Sequence, residues 1–246
     1  MKALILAAGY ATRLYPLTKD KPKALLPMGK HTMLDILMGS LITIKELTEI
    51  HLVTNHRFAE QFEDWAKEAQ SRYGALTPVI WDDGTMDNAT RLGAIGDMNY
   101  VIEKAQLNDD LLVTVCDDLF DFDIRDFVAD FTASGQDTIC AQPMEDEEER
   151  KRYAIALLDE KGTVIDLEEK PAQPKSDIAV YGFYIYRADT LPLVAQYLAE
   201  DNSPDAPGNF PSWLYKKKPV HAFIFEGECV DIGTPEAYEE NRKKYE

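Results

Sequence analysis

Apolar and polar positions along this chain follow two different periods. Short apolar runs at 3–7, 49–55, 77–81, 111–115 and 137–141 fit buried strands. Between them, 33–47 is apolar with scattered polar positions and reads as a buried helix, and 93–105 reads as another. Residues 57–73 carry Phe58, Phe62, Trp65 and Ala69 at helical spacing, a stripe that faces a core rather than a cofactor. Strand alternating with helix is the rhythm of a doubly wound α/β sheet, whose ligand sites lie beyond the carboxyl ends of its strands.

The pattern changes after a charged run at 145–152, which reads as a solvated helix or loop. Residues 153–158, 164–168 and 180–186 read as strands, the first two joined by a turn at Glu160-Lys161-Gly162. A helix at 190–199 leads into a loop at 201–211 rich in Pro, Asn, Ser and Gly, predicted to be mobile. Short strands at 221–225 and 229–231 precede an amphipathic helix at 235–245 that begins with Pro235. No repeat or low-complexity linker divides the chain, so residues 1–246 are expected to form a single domain.

Composition narrows the classes. A chain of 246 residues, 45% hydrophobic, can bury a large core. Its net charge of −18 argues against nucleic acid and anionic membranes as partners. Cys116, Cys140 and Cys229 are odd in number and widely spaced, which fits small buried hydrophobes in a reducing compartment. The first apolar run is too short for a signal peptide, and no run approaches the ~18 apolar residues of a membrane span. A cytoplasmic location is the expectation.

Against that acidic background the opening stretch, MKALILAAGYATRLYPLTKDKPKALLPMGK, is basic. It holds Lys2, Arg13, Lys19, Lys21, Lys23 and Lys30 against Asp20 alone, and three prolines disfavour helix. Small residues at Ala7, Ala8, Gly9, Ala11 and Thr12 let backbone N–H groups approach an anion, and the cations offset its charge. A cradle for a polyphosphate and a plain solvated turn are both compatible with this composition. Further along, Asp117 ends the most strand-like run, so it would share a crevice with the basic loop.

The order of residues separates the two readings. Leu6-Ala7-Ala8-Gly9, Thr12-Arg13-Leu14, Pro16-Leu17-Thr18, Pro22-Lys23 and Leu25-Leu26-Pro27 resemble the signature loop of the sugar-phosphate nucleotidyltransferases, of the glucose-1-phosphate thymidylyltransferase kind. The resemblance runs from Leu6 to Thr234 and implies a mixed, mainly parallel, Rossmann-like sheet with a small β-rich sugar-binding portion. The implied reaction joins an NTP to a sugar 1-phosphate, giving an NDP-sugar and pyrophosphate. It also implies Arg13 and Lys23 as catalytic groups, with Leu6, Ala7, Ala8, Gly9 and Thr12 on the nucleotide.

Carried over by motif, Asp117 and the Asp231 of Asp231-Ile232-Gly233-Thr234 would hold Mg²⁺, although Asp118 stands where relatives often have an amide. Glu169 and Lys170 of Glu169-Lys170-Pro171 would grip the sugar and its phosphate, and Gly182 would leave the sugar space. Asn88 and Gly93 fall where the family reads the base, and Arg91, unusual there, either binds a second anionic group or caps an acidic surface. Ala11 and Ala154 replace glycines of many relatives, the former tolerable without a positive φ. His31, His51, His56 and His221 form no ligand-spaced set and are expected to be structural.

Two alternatives stay open: a cytidylyltransferase acting on phosphocholine or an alditol phosphate, and a non-catalytic sugar-nucleotide-binding regulator. A Rossmann oxidoreductase is not expected, because no Gly-x-Gly-x-x-Gly follows the first strand. No hexapeptide-repeat β-helix follows Thr234, so a coupled acetyltransferase is not expected either. The base, the acceptor and homo-oligomer formation are not legible at this level.

Overall fold

The computed structural model describes residues 1–245. A nine-stranded sheet runs through the molecule. Its strands are β1 (Lys2–Leu6), β2 (Glu49–Thr54), β3 (Val79–Asp82), β4 (Leu111–Val115), β5 (Asp137–Pro143), β6 (Ala154–Leu158), β7 (Val164–Glu169), β8 (Ile178–Tyr186) and β9 (Val220–Ile224). The helices are α1 (Met33–Leu41), α2 (Ala59–Tyr73), α3 (Ala94–Lys104), α4 (Ile124–Ser134), α5 (Leu191–Ala199), α6 (Asn209–Leu214) and α7 (Pro235–Arg242), besides a single turn at Glu147–Arg150.

Strands β3, β2, β1 and β4 lie side by side and parallel, with Leu4 in register with His51 on one side and Val113 on the other. Both faces of this sheet are covered, which explains its unbroken apolar runs. Ala3 and Ile5 face a core shared with α1, α2 and α4, while Leu4 faces one shared with α3, α5 and α6. The stripe Phe58, Phe62, Trp65 and Ala69 lies buried in the first of these. Trp65 also donates its indole N–H to Asp35 at 3.1 Å, and Asp35 caps α1 by accepting from the Thr32 backbone N–H at 2.9 Å.

Strand β8 joins the parallel region to the rest. One edge is antiparallel to β4 over 183–186 and to β6 over 178–180, and the other edge is antiparallel to β5. The hairpin β6–β7 and the pair β5–β9, which is parallel, complete the sheet. Pairing with β5 slips between Val180 and Tyr184, so Gly182 sits at the irregularity.

Several expectations need correction. The apolar segment 33–47 is helical only to Leu41, because Ser40 and Thr43 divert backbone and hydroxyl groups into a turn (Thr43 Oγ1 donates to Ser40 O at 2.7 Å). Ile44 and Leu47 are buried all the same. The loop predicted over 201–211 is tied down: Tyr197 donates its hydroxyl to Ser203 O at 2.6 Å, and α6 begins at Asn209. Unanticipated is the strand Asp118–Phe120, which pairs antiparallel with Cys229–Asp231. The three cysteines form no disulfide, and Cys116 and Cys140 are buried as small hydrophobes. Among the described residues, no helix is long and apolar enough to cross a membrane.

Candidate active site

The signature loop leaves β1 at Leu6 and is held open by polar contacts to neighbouring strands. Ala7 donates its N–H to Val53 O at 2.9 Å, extending the ladder with β2. Asn55, fully buried at the end of that strand, donates to Ala8 O at 2.9 Å and accepts from Phe58 N at 3.2 Å. Its signal in the sequence is one amide directly after an apolar run, which reads as an ordinary turn. Thr18, also buried, donates its hydroxyl to Ala11 O at 2.7 Å.

Ala11 itself adopts φ +45°, the left-handed region that glycine tolerates and alanine does not favour. The condition attached to this substitution, that no positive φ is needed, therefore fails. The loop is held in this conformation by Thr18 and by Leu14 N, which donates to the same carbonyl at 3.0 Å. Beneath it, Leu14, Leu26, Met28, Met33, Leu119, Ile232 and Tyr238 form a separate small core. That core draws α7 and the 231–234 segment under the loop, and Tyr238 donates its hydroxyl to Pro27 O at 2.6 Å.

The result is a cleft of about 230 Å³ lined by Leu6, Ala7, Gly9, Arg13, Lys23 and Asp117, with Cys116 and Gly233 at its walls. Ala8 is buried behind it and Thr12 is exposed outside its lining. Nothing lies within 4 Å of the point where a Cβ on Gly9 would stand, so protein packing does not require glycine there.

Asp117 and Asp231, distant in sequence, converge on Lys23. The Lys23 ammonium is 2.7 Å from Asp117 Oδ2 and 3.6 Å from Asp231 Oδ1. The short ribbon makes this possible by setting Asp231 opposite Asp118, and Ile232 N donates to Asp117 O at 3.0 Å. Burial opposes the charge on Lys23, but the two aspartates outweigh it and raise the pKa. Burial and the Asp117 charge raise Asp231, with Lys23 and Arg13 acting against them. The site therefore brings two carboxylates to one small cation.

Asp118 turns the other way, accepting from Gly182 N at 3.0 Å. Burial, then the charges of Asp117 and Asp231, push its carboxyl up to about 7. A Cβ on Gly182 would stand 2.2 Å from Val115 Cγ2 and 2.8 Å from Asp118 Oδ2. The protein's own side chains therefore require glycine at this position.

Gly182 nevertheless borders a second cleft, of about 200 Å³, that meets the first at Asp117. Arg152, Tyr153, Glu169, Lys170, Tyr181 and Asp231 line it, closed on one side by 206–208. Glu169 is largely buried, which raises its pKa against the pull of Lys170, whose ammonium is 3.6 Å away. Gly208 is pressed on this carboxylate, since a Cβ there would lie 2.1 Å from Glu169 Oε2. Ala154 also lines this cleft, at the position where relatives often have glycine.

Residues 88–93 lie outside the lining of both clefts. Arg91 donates to Asp205 Oδ1 at 2.9 Å and to Asn88 O at 2.7 Å, so its charge is answered within the protein. Gly93 has φ +81°, and a Cβ would meet Pro204 O at 2.6 Å. Behind this loop Asp97, buried on α3, stands against Asp83. Burial and that neighbour push its carboxyl up to about 8. Asp83 in turn accepts from Thr85 Oγ1 at 3.1 Å, and Thr85 meets the Tyr10 hydroxyl at 3.1 Å, linking α3 to the signature loop. Of the histidines, His51 accepts from Trp81 Nε1 at 3.0 Å, and His221 pairs with Asp130 at 3.1 Å.

Comparison with known proteins agrees with this geometry. The chain is 28% identical over 252 residues to a glucose-1-phosphate adenylyltransferase of Geobacillus stearothermophilus, covering 94% of this chain and 62% of the relative. It is 27% identical over 245 residues to a UTP–glucose-1-phosphate uridylyltransferase of Synechocystis, covering 97% and 61%. The chain thus spans about three fifths of the length of these relatives. A solved UDP-glucose pyrophosphorylase complexed with UDP-glucose shares the fold, with TM-score 0.83 at 21% identity over 99% of this chain and 97% of that one. With residues 2–246 matching the family described as nucleotidyl transferase, a signature loop at the carboxyl end of β1 and two aspartates converging beside it, the chain belongs to the nucleotidyl transferase family.

Proposed function

We propose that the chain transfers a nucleotidyl group from an NTP to a sugar 1-phosphate, releasing pyrophosphate. The observation that carries this reading is the meeting of two clefts at Asp117: one lined by Arg13 and Lys23, the other furnished for a polar acceptor. Open space over Gly9 suits phosphates drawn up to the backbone, and Arg13 and Lys23 offset their charge. In the second cleft, Arg152 and Lys170 would hold the acceptor phosphate and Glu169 a sugar hydroxyl.

The acceptor's phosphate oxygen attacks the α-phosphorus. A new P–O bond forms as the α–β P–O bond breaks, and its electron pair leaves on pyrophosphate. No protein nucleophile is needed, so the chain contributes orientation and charge. Asp117 and Asp231 would hold Mg²⁺. Their convergence on the Lys23 ammonium is the fit expected for a hard cation that needs only one or two carboxylates. When bound, the ion supplies charge neutralisation of the triphosphate. Lys23, which lines the same cleft, would offset the charge of the phosphates.

A cationic acceptor such as phosphocholine is the second reading. Tyr153 and Tyr181, with ring centroids 5.3 Å apart, border the acceptor cleft beside Asp118 and Glu169, a setting that suits a quaternary ammonium. The deciding experiment is pyrophosphate release over a matrix of NTPs against sugar 1-phosphates, phosphocholine and alditol phosphates, with and without Mg²⁺. Release with a sugar 1-phosphate is expected. Release with phosphocholine alone would move the assignment to the second reading, and none with any pair would leave a nucleotide-binding regulator.

A further inference from the structure

The strap 203–208 belongs to two places at once. Its end, 206–208, walls the acceptor cleft, with Gly208 against the Glu169 carboxylate. Its beginning is bonded to the first turn of α3, which follows the loop leaving β3. Ile95 donates its N–H to Pro204 O at 2.9 Å and Ala94 to Asp205 O at 3.2 Å. These amides have no partner within their own helix, so the strap's carbonyls satisfy them. Gly93 admits this approach because it has no Cβ to strike Pro204 O.

A side-chain contact fixes the arrangement. Arg91 sets Nε at 2.9 Å and a terminal nitrogen at 2.8 Å from Asp205 Oδ1, while another nitrogen reaches Asn88 O at 2.7 Å. The guanidinium thus bridges the 88–91 turn and the strap. Arg91 was a candidate to bind an anionic substrate, yet its donors point at the protein. We propose that Arg91 is a positioning residue for the acceptor: by holding Asp205 it sets the distance from 206–208 to Glu169 and so the width of the acceptor cleft. It touches no substrate itself. This inference rests on the acceptor reading of the second cleft.

The pair is solvent-exposed, so its loss should change acceptor binding modestly and leave the fold intact. Arg91→Ala and Asp205→Ala are each expected to raise the acceptor KM about fivefold, with kcat, the NTP KM and Tm little changed. The double variant should be no worse than either single one, and the exchanged pair Arg91→Asp with Asp205→Arg should recover part of the loss. Kinetics would use glucose 1-phosphate or phosphocholine, whichever the substrate matrix shows to be turned over.

Hydrogen exchange on the full chain supplies a readout that needs no turnover. The Ala94 and Ile95 amides should lose protection in either single variant. Unchanged protection would overturn the clasp. Faster exchange with an unaltered acceptor KM, or a change in the NTP KM alone, would overturn its role in acceptor binding. An inactive wild type would instead remove the nucleotidyl-transfer reading, with the clasp still judged by exchange.

Discussion

Within its first thirty residues the chain supplies Leu6, Ala7, Gly9, Arg13 and Lys23 to one cleft. The neighbouring cleft draws Arg152 and Tyr153, Glu169 and Lys170, Tyr181 and Gly182, and 206–208 from four separate stretches. The first is pinned from below by buried Asn55 and Thr18 and a dedicated small core. The second is bounded by a hairpin, a sheet irregularity and a strap, and its wall is fixed by an exposed ion pair. Under the proposed function, the difference would suit holding a triphosphate of fixed shape on one side and an adjustable acceptor on the other.

The largest effect should come from the cationic side. Arg13→Ala or Lys23→Ala should lower turnover at least ~10²-fold, as when a preorganised charge contact is removed. Asp117→Asn and Asp231→Asn should likewise keep the fold and lose most activity. Steady-state pyrophosphate release with circular dichroism decides this, and wild-type turnover in the lysine variant would undo the contrast between the clefts.

The next test concerns the support behind the signature loop. Asp97 has its carboxyl raised to about 8 in the fold from an ordinary 3.8. Between those values the folded chain holds a proton that the unfolded chain releases, so stability falls as pH rises through this window. The decline should amount to on the order of a few kcal/mol. Asp97→Asn keeps a donor toward Asp83 and should flatten that slope, making the variant the more stable form near neutral pH. Urea unfolding across the pH range would show it, and parallel curves would dismiss it.

Asn55→Ala should cost about 1–3 kcal/mol, because it leaves the Ala8 carbonyl unpaired in a buried place, while the Phe58 N–H keeps its bond to the backbone carbonyl of position 55. It should also raise the NTP KM and spare the acceptor KM, a split that a merely structural role would not produce. The smallest change is Ala11→Gly, which relieves a left-handed alanine and adds freedom to the unfolded chain. A net shift under ~1 kcal/mol is expected by thermal melting.

The same contrast explains what could be read from the sequence. Strand runs and the stripe Phe58, Phe62, Trp65 and Ala69 are local patterns and stand where periodicity put them, whereas the helix predicted over 33–47 ends at Leu41. The resemblance carried Asp117, Asp231, Glu169 and Lys170 to the clefts, although nothing local pairs residues so far apart. Missed were groups whose role is set by partners: Asn55, whose target is a carbonyl in another segment, and Asp118–Phe120, too short to show a period. Arg91 was singled out as an unusual residue, but only the folded chain reveals Asp205 as its partner. The close approach of Val115 and Asp118 to Gly182 is likewise visible only in the folded chain.

The ribbon that sets Asp231 opposite Asp118 also has a consequence in time. On a ribosome adding ~5–20 residues per second, the interval from Asp117 to Asp231 lasts on the order of ten seconds. Through that interval the second carboxylate does not yet exist. The small core beneath the cradle waits for the same segment, because Ile232 and Tyr238 belong to it. Chains arrested before Cys229 would therefore lack both the carboxylate pair and part of the core that supports the cradle, so the 229–238 segment completes the two together.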